Sequence, residues 1–204
     1  MLIKRGKMTL KVGITGGIGT GKTAASKMFE ELGIPVFNAD KEAKWIMNSD
    51  KKVKTKLIKL LGEQAYIDNE LNRPYIANKI FTDSSLKAKM EAIVHPAVRD
   101  HFINWYTRQE APYILKEAAL IYEIGDHENL DYVIVVDAPE HVRIERVKQR
   151  DNSTIEAIRS RIKNQMNQSE KVKLANFILK NEKDLEFLKS QVLDLDKKIR
   201  LLKS

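Results

Sequence analysis

The sequence predicts an α/β fold in which a five-stranded parallel sheet lies between two layers of helices. Three observations lead to this prediction. Short, apolar, β-branched runs alternate with longer helical patterns along the chain, as they do in βαβ units. The first run, Leu10 to Thr15, leads into a glycine-rich segment that precedes a helix. The 204 residues are 43% hydrophobic and 31% charged, which fits one well-buried core.

The glycine-rich segment is Gly16-Gly17-Ile18-Gly19-Thr20-Gly21-Lys22-Thr23, which matches G-x-x-x-x-G-K-[ST] at every fixed position. Its glycines allow successive backbone N–H groups to turn towards a polyphosphate. We expect Lys22 to reach the β- and γ-phosphates, and Thr23 to ligate Mg²⁺ at the start of the next helix. A strand before and a helix after are the context that this P-loop motif requires, so the segment predicts a P-loop NTPase fold.

The P-loop helix is predicted to end at Leu32, with Gly33 following its C-terminus and Pro35 preventing its continuation. Val36-Phe37 begins a second strand, which ends at 38–40. In a right-handed βαβ unit, the carboxyl ends of both strands lie at one edge of the sheet. Asp40 is therefore expected to face the bound phosphates.

Residues 41–109 show a helical pattern that is too long for a single crossover. Their apolar residues recur near helical spacing at Trp45, Ile46, Val53, Leu57, Ile58 and Leu61. Turn or boundary signals occur at Asn72-Arg73-Pro74, Asp83-Ser84-Ser85 and His95-Pro96. We interpret this segment as a helical insertion that binds the acceptor substrate.

Three later strands, 112–117, 131–137 and 176–179, complete the predicted sheet. Pro139 opens a helix, and Ser153 with Glu156 forms a capping-box pattern for another helix that runs to about Lys173. The last helix carries an apolar stripe at Leu185, Leu188, Val192, Leu195, Ile199 and Leu202. This stripe is typical of packing against a sheet, with a coiled-coil seam as the alternative.

These predicted elements divide the chain into three parts. Residues 8–40, 110–139 and 174–204 form a nucleotide-binding core, 41–109 form the acceptor-binding insertion, and 140–173 form a helical lid. The lid helix carries Arg143, Arg146 and Arg150 on one face, where they could contact phosphates. The alternative is a solvated basic face.

Phosphoryl transfer also needs a group that orients the nucleophile and an acid that organises the metal. Asp40 is the candidate base, and its alternative role is the N-cap of a helix beginning near Lys41. Glu117 and Asp137 each end an apolar strand, and either could hold Mg²⁺ through water. Position alone does not choose between them. His95 precedes a proline, so it is more typical of a helix boundary than of a catalytic site.

Composition narrows the possible functions. The absence of cysteine excludes disulfides, thiolate zinc sites and a cysteine nucleophile, and it fits a cytoplasmic protein. No segment has the length needed to cross a bilayer. The net charge of +8 indicates anionic partners, but basic residues are interleaved with acids and no stacking platform is seen. We therefore expect nucleotide phosphates rather than nucleic acid or membrane as partners. Residues 1–7 are expected to be a loose extension or the result of an upstream start.

Two segments, GITGGIGTGKT at 13–23 and LGIPVFNAD at 32–40, resemble the opening of dephospho-CoA kinases. Further similar segments follow in order at 71–73, 80–83, 93–96, 135–139, 149–151, 161–165, 175–178 and Asn181. Two departures occur. Asn38 replaces the first acid of the family's Asp-x-Asp pattern, and Ala119 replaces the proline of its Pro-Leu-Leu-Phe-Glu region, while Glu117 and Glu123 remain.

The resemblance implies transfer of the γ-phosphoryl group of ATP, with Mg²⁺, to the ribose 3′-hydroxyl of dephospho-coenzyme A. This is the last step of coenzyme A synthesis. The implied catalytic residues are Asp40, Lys22, Arg146 and Arg150. Nucleotide would be bound by Gly16, Gly17, Gly19, Thr20, Gly21, Lys22, Thr23, Ala24, Arg143 and Asn181. Acceptor would be bound by Asp40, Arg73, His95 and Glu117, and metal by Thr23 and Glu117. A monomer or weak homo-oligomer is expected.

Three other classes of P-loop protein were weighed. A nucleoside or nucleoside-monophosphate kinase shares the phosphate site and lid and differs in its acceptor pocket. A GTP-dependent switch would need an Asn/Thr-Lys-x-Asp signature and an Asp-x-x-Gly segment, and the sequence has neither. An ATPase acting on nucleic acid would bind DNA or RNA in a salt-sensitive way, and no sensor motif supports it.

Overall fold

The computed structural model describes residues 9–202, so our prediction for residues 1–7 falls outside the described range. The chain divides into two compact units. The nucleotide unit comprises the chain up to Asn38 and from Gln109 onward, and the helical unit comprises Ala39–Arg108. Every helix within residues 9–202 is too short or too polar to cross a membrane.

The strands of the described chain are β1 (Leu10–Thr15), β2 (Val36–Asn38), β3 (Tyr66–Ile67), β4 (Glu70–Leu71), β5 (Tyr113–Glu117), β6 (Tyr132–Asp137) and β7 (Phe177–Lys180). Its α-helices are α1 (Lys22–Glu31), α2 (Ala39–Ser49), α3 (Lys51–Leu61), α4 (Arg73–Thr82), α5 (Ser84–Tyr106), α6 (Glu140–Asp151), α7 (Ile155–Lys163), α8 (Gln168–Leu174) and α9 (Leu185–Leu202). Short 3₁₀ helices occur at Glu63–Ala65 and Asp126–Asn129.

The nucleotide unit contains a five-stranded sheet in the order β2-β5-β1-β6-β7. All neighbouring strands are parallel. The register places Glu117, the last residue of β5, opposite Asn38 of β2 and Ile14 of β1. The carboxyl ends of these strands therefore meet at one edge, where the P-loop begins. The predicted five-stranded parallel sheet is confirmed.

The core of this unit is built from β-branched strand residues and two helices. Val12 and Ile14 of β1 are fully buried and share one cluster with Phe29 of α1 and with α9. In α9, the four middle members of the apolar stripe are buried: Leu188, Val192, Leu195 and Ile199. Burial of each such side chain contributes about 1.5–3 kcal/mol. The interpretation that α9 packs on the sheet, rather than forming a coiled coil, is confirmed.

The observed helix ends in the nucleotide unit match the predicted ones only in part. Gly33 follows the C-cap of α1 with a left-handed φ of 80°, as predicted. The helix predicted to run to about Lys173 is instead two helices, α7 and α8, separated by residues 164–167. The predicted cap Ser153 is also wrong. Thr154 caps α7, because its extended backbone lets its hydroxyl accept from Ala157 N at 3.3 Å.

In the helical unit, α2, α3 and α4 each pack against α5. Asn72 caps α4 and Asp83 caps α5, which confirms two of the three boundary signals. The third is wrong, since His95 and Pro96 lie inside α5. Proline removes one backbone N–H from a helix of 23 residues, and the burial of one face, including Val94, outweighs this loss.

Two further features of the helical unit differ from expectation. Strands β3 and β4 form an antiparallel hairpin that the helical pattern did not predict. Its turn residues, Asp68 and Asn69, adopt positive φ angles of 49° and 67°, which these residue types tolerate best after glycine. Trp45, counted in the apolar pattern, is 55% exposed and lies beside the His101 ring with ring centroids 5.2 Å apart.

Candidate active site

The P-loop connects β1 to α1 and needs glycine at particular positions. Gly19 and Gly21 have φ angles of 80° and 93°, which disfavour any residue with a Cβ. Neither position has room for a side chain. A Cβ on Gly19 would lie 2.5 Å from the carbonyl oxygen of Arg143, and one on Gly21 would overlap Nδ2 of Asn181. The backbone of this loop is therefore packed closely against α6 and the residue after β7.

Contacts inside the loop close its turn. The hydroxyl of Thr20 is buried and donates to Gly17 O at 2.9 Å. The ammonium of Lys22 donates to Gly16 O at 2.7 Å, across the mouth of the loop. Ala24, also predicted to bind nucleotide, lies half-buried in the first turn of α1. The Lys22 ammonium and the N-terminus of α1 therefore both lie next to the loop, as binding of a polyphosphate requires.

Thr23 and Glu117 are brought together from α1 and β5. The hydroxyl of Thr23 donates to Glu117 Oε1 at 2.9 Å, and Glu117 is only 6% exposed. The second carboxylate oxygen, Oε2, accepts from Asn38 Nδ2 at 3.0 Å. Asn38 thus has a role here that an aspartate could not fill, because an ionised carboxylate has no proton to donate to Glu117.

The hydroxyl and carboxylate oxygens of Thr23 and Glu117 are the hard oxygen donors that Mg²⁺ prefers. Among the described residues, no cluster of three or more acidic, histidine or cysteine side chains is placed to hold a metal by itself. A magnesium ion at Thr23 would therefore complete its shell with phosphate oxygens and water. Asp137, the other candidate acid, instead accepts from Gln168 Nε2 at 3.0 Å. The donor set at Thr23 thus fits Mg²⁺ and favours Glu117 over Asp137.

The three arginines of α6 have different environments. Arg143 is 4% exposed and donates from Nε to Ile18 O at 2.9 Å, so it is not on a solvated face. Burial lowers the pKa of Arg143, while Glu140 and Asp137 oppose the shift. Arg150 is exposed and pairs with the adjacent Asp151 at 2.7 Å, and this hydrogen bond raises the pKa of Arg150.

Arg146 has a further feature. Its Nη2 donates to Asn181 Oδ1 at 3.2 Å, whereas Nη1 is buried and lacks a hydrogen-bond partner among the described residues. Asn181 is 3% exposed, and its Nδ2 donates to Thr20 O at 2.8 Å. Asn181 thus links Arg146 to the P-loop. A buried guanidinium nitrogen without a partner is costly, and an anion such as a phosphate would satisfy it.

The remaining candidates lie in the helical unit. Asp40 is exposed and is the second residue of α2, which begins at Ala39 rather than near Lys41. A carboxylate in the first turn is stabilised by the helix dipole. Arg73 is the exposed first residue of α4, and His95 is exposed within α5. Their roles in binding the acceptor stay predictions.

Two glutamines that no sequence pattern indicated contact the P-loop. Gly17 N donates to Gln168 Oε1 and Ile18 N donates to Gln165 Oε1, both at 2.9 Å. The partners are 151 and 147 residues apart in sequence, so no local pattern signals these contacts. Gln165 falls in a segment similar to the kinases named above, but that similarity gave it no role.

Comparison with known proteins gives consistent results. The family model described as dephospho-CoA kinase matches residues 10–186. A dephospho-CoA kinase of Bacteroides fragilis is 35% identical over 189 residues, covering 92% of each chain. A crystal structure from Thermus thermophilus superposes with a TM-score of 0.83 at 30% identity, covering 93% of this chain and 97% of that one.

A dephospho-CoA kinase from Campylobacter jejuni superposes with a TM-score of 0.64 at 24% identity, covering 94% of this chain and 98% of that one, and it shares the fold.

Proposed function

The chain belongs to the dephospho-CoA kinase family, and on this premise we propose that it transfers the γ-phosphoryl group of ATP to the ribose 3′-hydroxyl of dephospho-coenzyme A. The products are coenzyme A and ADP, and the reaction is the last step of coenzyme A synthesis. The observation that carries this proposal is the P-loop with its Lys22, Thr23 and Glu117 cluster, which supplies a phosphate cradle, a cation and an oxygen donor set in one place.

In the proposed mechanism, the P-loop backbone and Lys22 bind the β- and γ-phosphates of ATP. Thr23 would hold Mg²⁺, with Glu117 orienting the Thr23 hydroxyl, and the ion would neutralise phosphate charge when bound. Nη1 of Arg146, which has no hydrogen-bond partner within residues 9–202, would donate to a phosphate oxygen. These groups stabilise the charge that spreads over the transferring phosphoryl group.

We propose that Asp40 is the general base that accepts the proton of the ribose 3′-hydroxyl as it attacks the γ-phosphorus. Its exposed position in the first turn of α2, two residues after β2, is compatible with this role. We assign acceptor binding to residues 41–109, with Arg73 and His95 as contacts. Arg150 is proposed to act from a lid formed by 140–173. In this lid, release of the Arg150–Asp151 pair would free the guanidinium.

Arg143 is assigned a different task from the other two arginines. Because it is buried and bonded to Ile18 O, its contribution to nucleotide binding would be indirect, through support of the P-loop. A nucleoside or nucleoside-monophosphate kinase, the main alternative, is not favoured by the family match. A cytoplasmic location and a monomeric or weakly oligomeric state stay predictions, and gel filtration tests the second.

The test is a steady-state assay of ADP formation with dephospho-coenzyme A as the varied substrate. We expect ADP release to depend on this acceptor and on Mg²⁺. Arg73→Ala and His95→Ala are expected to raise the KM for the acceptor and to leave the KM for ATP unchanged. ADP release that is independent of any acceptor would indicate an ATPase and would overturn the proposal.

A further inference from the structure

The first half of the P-loop is held by side chains that lie far away in sequence. The backbone of Ile18 is held at both of its polar groups, since its N–H donates to Gln165 Oε1 and its carbonyl accepts from Arg143 Nε, each at 2.9 Å. The neighbouring N–H of Gly17 donates to Gln168 Oε1, also at 2.9 Å. The two glutamines therefore bind the consecutive loop amides of Gly17 and Ile18.

Gln168 also joins the loop to the sheet. Its Nε2 donates to Val136 O and to Asp137 Oδ1, both at 3.0 Å, at the carboxyl end of β6. One side chain thus spans the last residues of β6 and the P-loop at Gly17. A leucine at 168 would fill similar volume and would remove all three hydrogen bonds.

The segment that carries the glutamines has a buried anchor of its own. Lys171 is fully buried, forms an ion pair with Glu123 Oε1 at 2.6 Å and donates to Ala119 O at 3.1 Å. The same Glu123 oxygen accepts from Met166 N at 3.0 Å. Met166, between α7 and α8, and Lys171 of α8 are therefore fixed to the segment after β5. Any lid movement of α6 and α7 would have to leave this attachment in place.

From these contacts we infer that Gln165 and Gln168 are positioning residues that hold the Gly17 and Ile18 amides. Their effect is that the second half of the P-loop, residues 20–23, is preformed for the phosphates of ATP. Neither glutamine needs to touch nucleotide for this role. Preorganisation lowers the ordering cost of binding, so its loss should weaken ATP binding more than acceptor binding. The kinetic part of this inference rests on the proposed kinase function, and the structural part does not.

The structural part is tested by amide hydrogen exchange, measured by NMR on the nucleotide-free protein. We expect Gly17 N–H to lose protection in Gln168→Leu and Ile18 N–H to lose protection in Gln165→Leu. Gln165→Glu keeps a side-chain oxygen that accepts from Ile18 N and should retain the protection. The matched control is Gln191→Leu, because Gln191 makes the same kind of bonds to the backbone of Lys180 in β7.

The kinetic part is tested by comparing the same variants in the steady-state assay. Of the three hydrogen bonds that Gln168→Leu removes, one is to the loop itself, at Gly17 N–H. One such bond corresponds to about a tenfold change in an equilibrium constant, so the KM for ATP should rise by about tenfold. The KM for the acceptor and the melting temperature relative to Gln191→Leu should change little. Should Gln168→Leu fail to fold, Gln165→Leu with its Gln165→Glu rescue provides the test.

Unchanged exchange at both amides in the leucine variants would overturn the inference, whatever the enzyme's activity. Lost protection with an unchanged KM for ATP would also overturn it, because the glutamines would then hold the loop without aiding nucleotide binding. Absence of kinase activity in the wild-type protein, with the exchange results as expected, would contradict the proposed function and leave the structural part standing.

Discussion

Replacement of Glu117 by glutamine should weaken Mg²⁺ binding strongly and change the stability of the fold only slightly. The side chain is 6% exposed and accepts from Thr23 Oγ1 at 2.9 Å and from Asn38 Nδ2 at 3.0 Å. A glutamine fits the same space. With its carbonyl towards Asn38, its amide would donate to Thr23 Oγ1, so both hydrogen bonds persist and the cost to stability is about 1 kcal/mol. For a chain of this size, the melting temperature should fall by only about 2–4 °C.

The same change should impair the Mg²⁺ dependence of the reaction strongly. In the wild-type protein the Thr23 hydroxyl donates to Glu117 and leaves its oxygen lone pairs for a metal. In Glu117→Gln the amide would occupy one of those lone pairs, and a negative charge beside the metal would be lost. We expect the half-saturating Mg²⁺ concentration to rise about 10–100-fold, which is typical for loss of a group that orients a metal ligand.

The assay is a magnesium titration of initial rates at saturating ATP and acceptor, run beside thermal unfolding. Asp137→Asn is the matched control, because it neutralises the acid at the end of β6 and keeps an oxygen for Gln168 Nε2. We expect its Mg²⁺ dependence to match the wild type. An unchanged titration in Glu117→Gln, or an equal shift in both variants, would refute the assignment of Glu117.

Four further predictions follow from the structure. Lys22→Ala should abolish ATP use, and near wild-type turnover would exclude the P-loop assignment. Asp40→Asn should retain ATP binding, measured by calorimetry, but lose most of kcat; full activity would remove Asp40 as the base. Lys171→Met should lower the free energy of unfolding in urea by about 3 kcal/mol, because it leaves the partly buried carboxylate of Glu123 without its cation, and Glu123→Gln in the same chain should restore part of it. Burial raises the pKa of Tyr122 to about 12 from 10.0, so its neutral form stabilises the fold below pH 10. That stability should be lost as pH rises from 10 to about 12, and Tyr122→Phe should remove this part of the alkaline transition.

The parts of the fold that were predictable depend on short-range patterns. The strand at Leu10–Thr15, the P-loop and the helix end at Gly33 were predicted at their observed positions, because buried β-branched runs and special backbone conformations require particular residue types locally. The family resemblance is confirmed by the family model and the relatives. The stripe in α9 was assigned correctly to packing on the sheet, because its four middle members share one helical face and belong to the same buried cluster as β1.

The errors arose where local signals competed with tertiary contacts. Pro96 is tolerated inside α5 because the helix buries one face along its length, and the β3–β4 hairpin at Asp68 and Asn69 interrupts a pattern that otherwise is helical. Of the site, the P-loop motif located Lys22 and Thr23, which begin α1 directly after the loop. It could not show that Arg143 is buried under the loop, since that contact depends on how α6 packs after β6.

ATP-dependent phosphorylation by the purified protein distinguishes the proposed acceptor from its alternatives. Dephospho-coenzyme A is compared with adenosine, a panel of nucleoside monophosphates and buffer alone, with the product identified by mass and the phosphorylated oxygen by NMR. We expect only dephospho-coenzyme A to be phosphorylated, on the ribose 3′-oxygen. Phosphorylation of the panel instead would leave the P-loop assignment intact and contradict the acceptor assignment of residues 41–109.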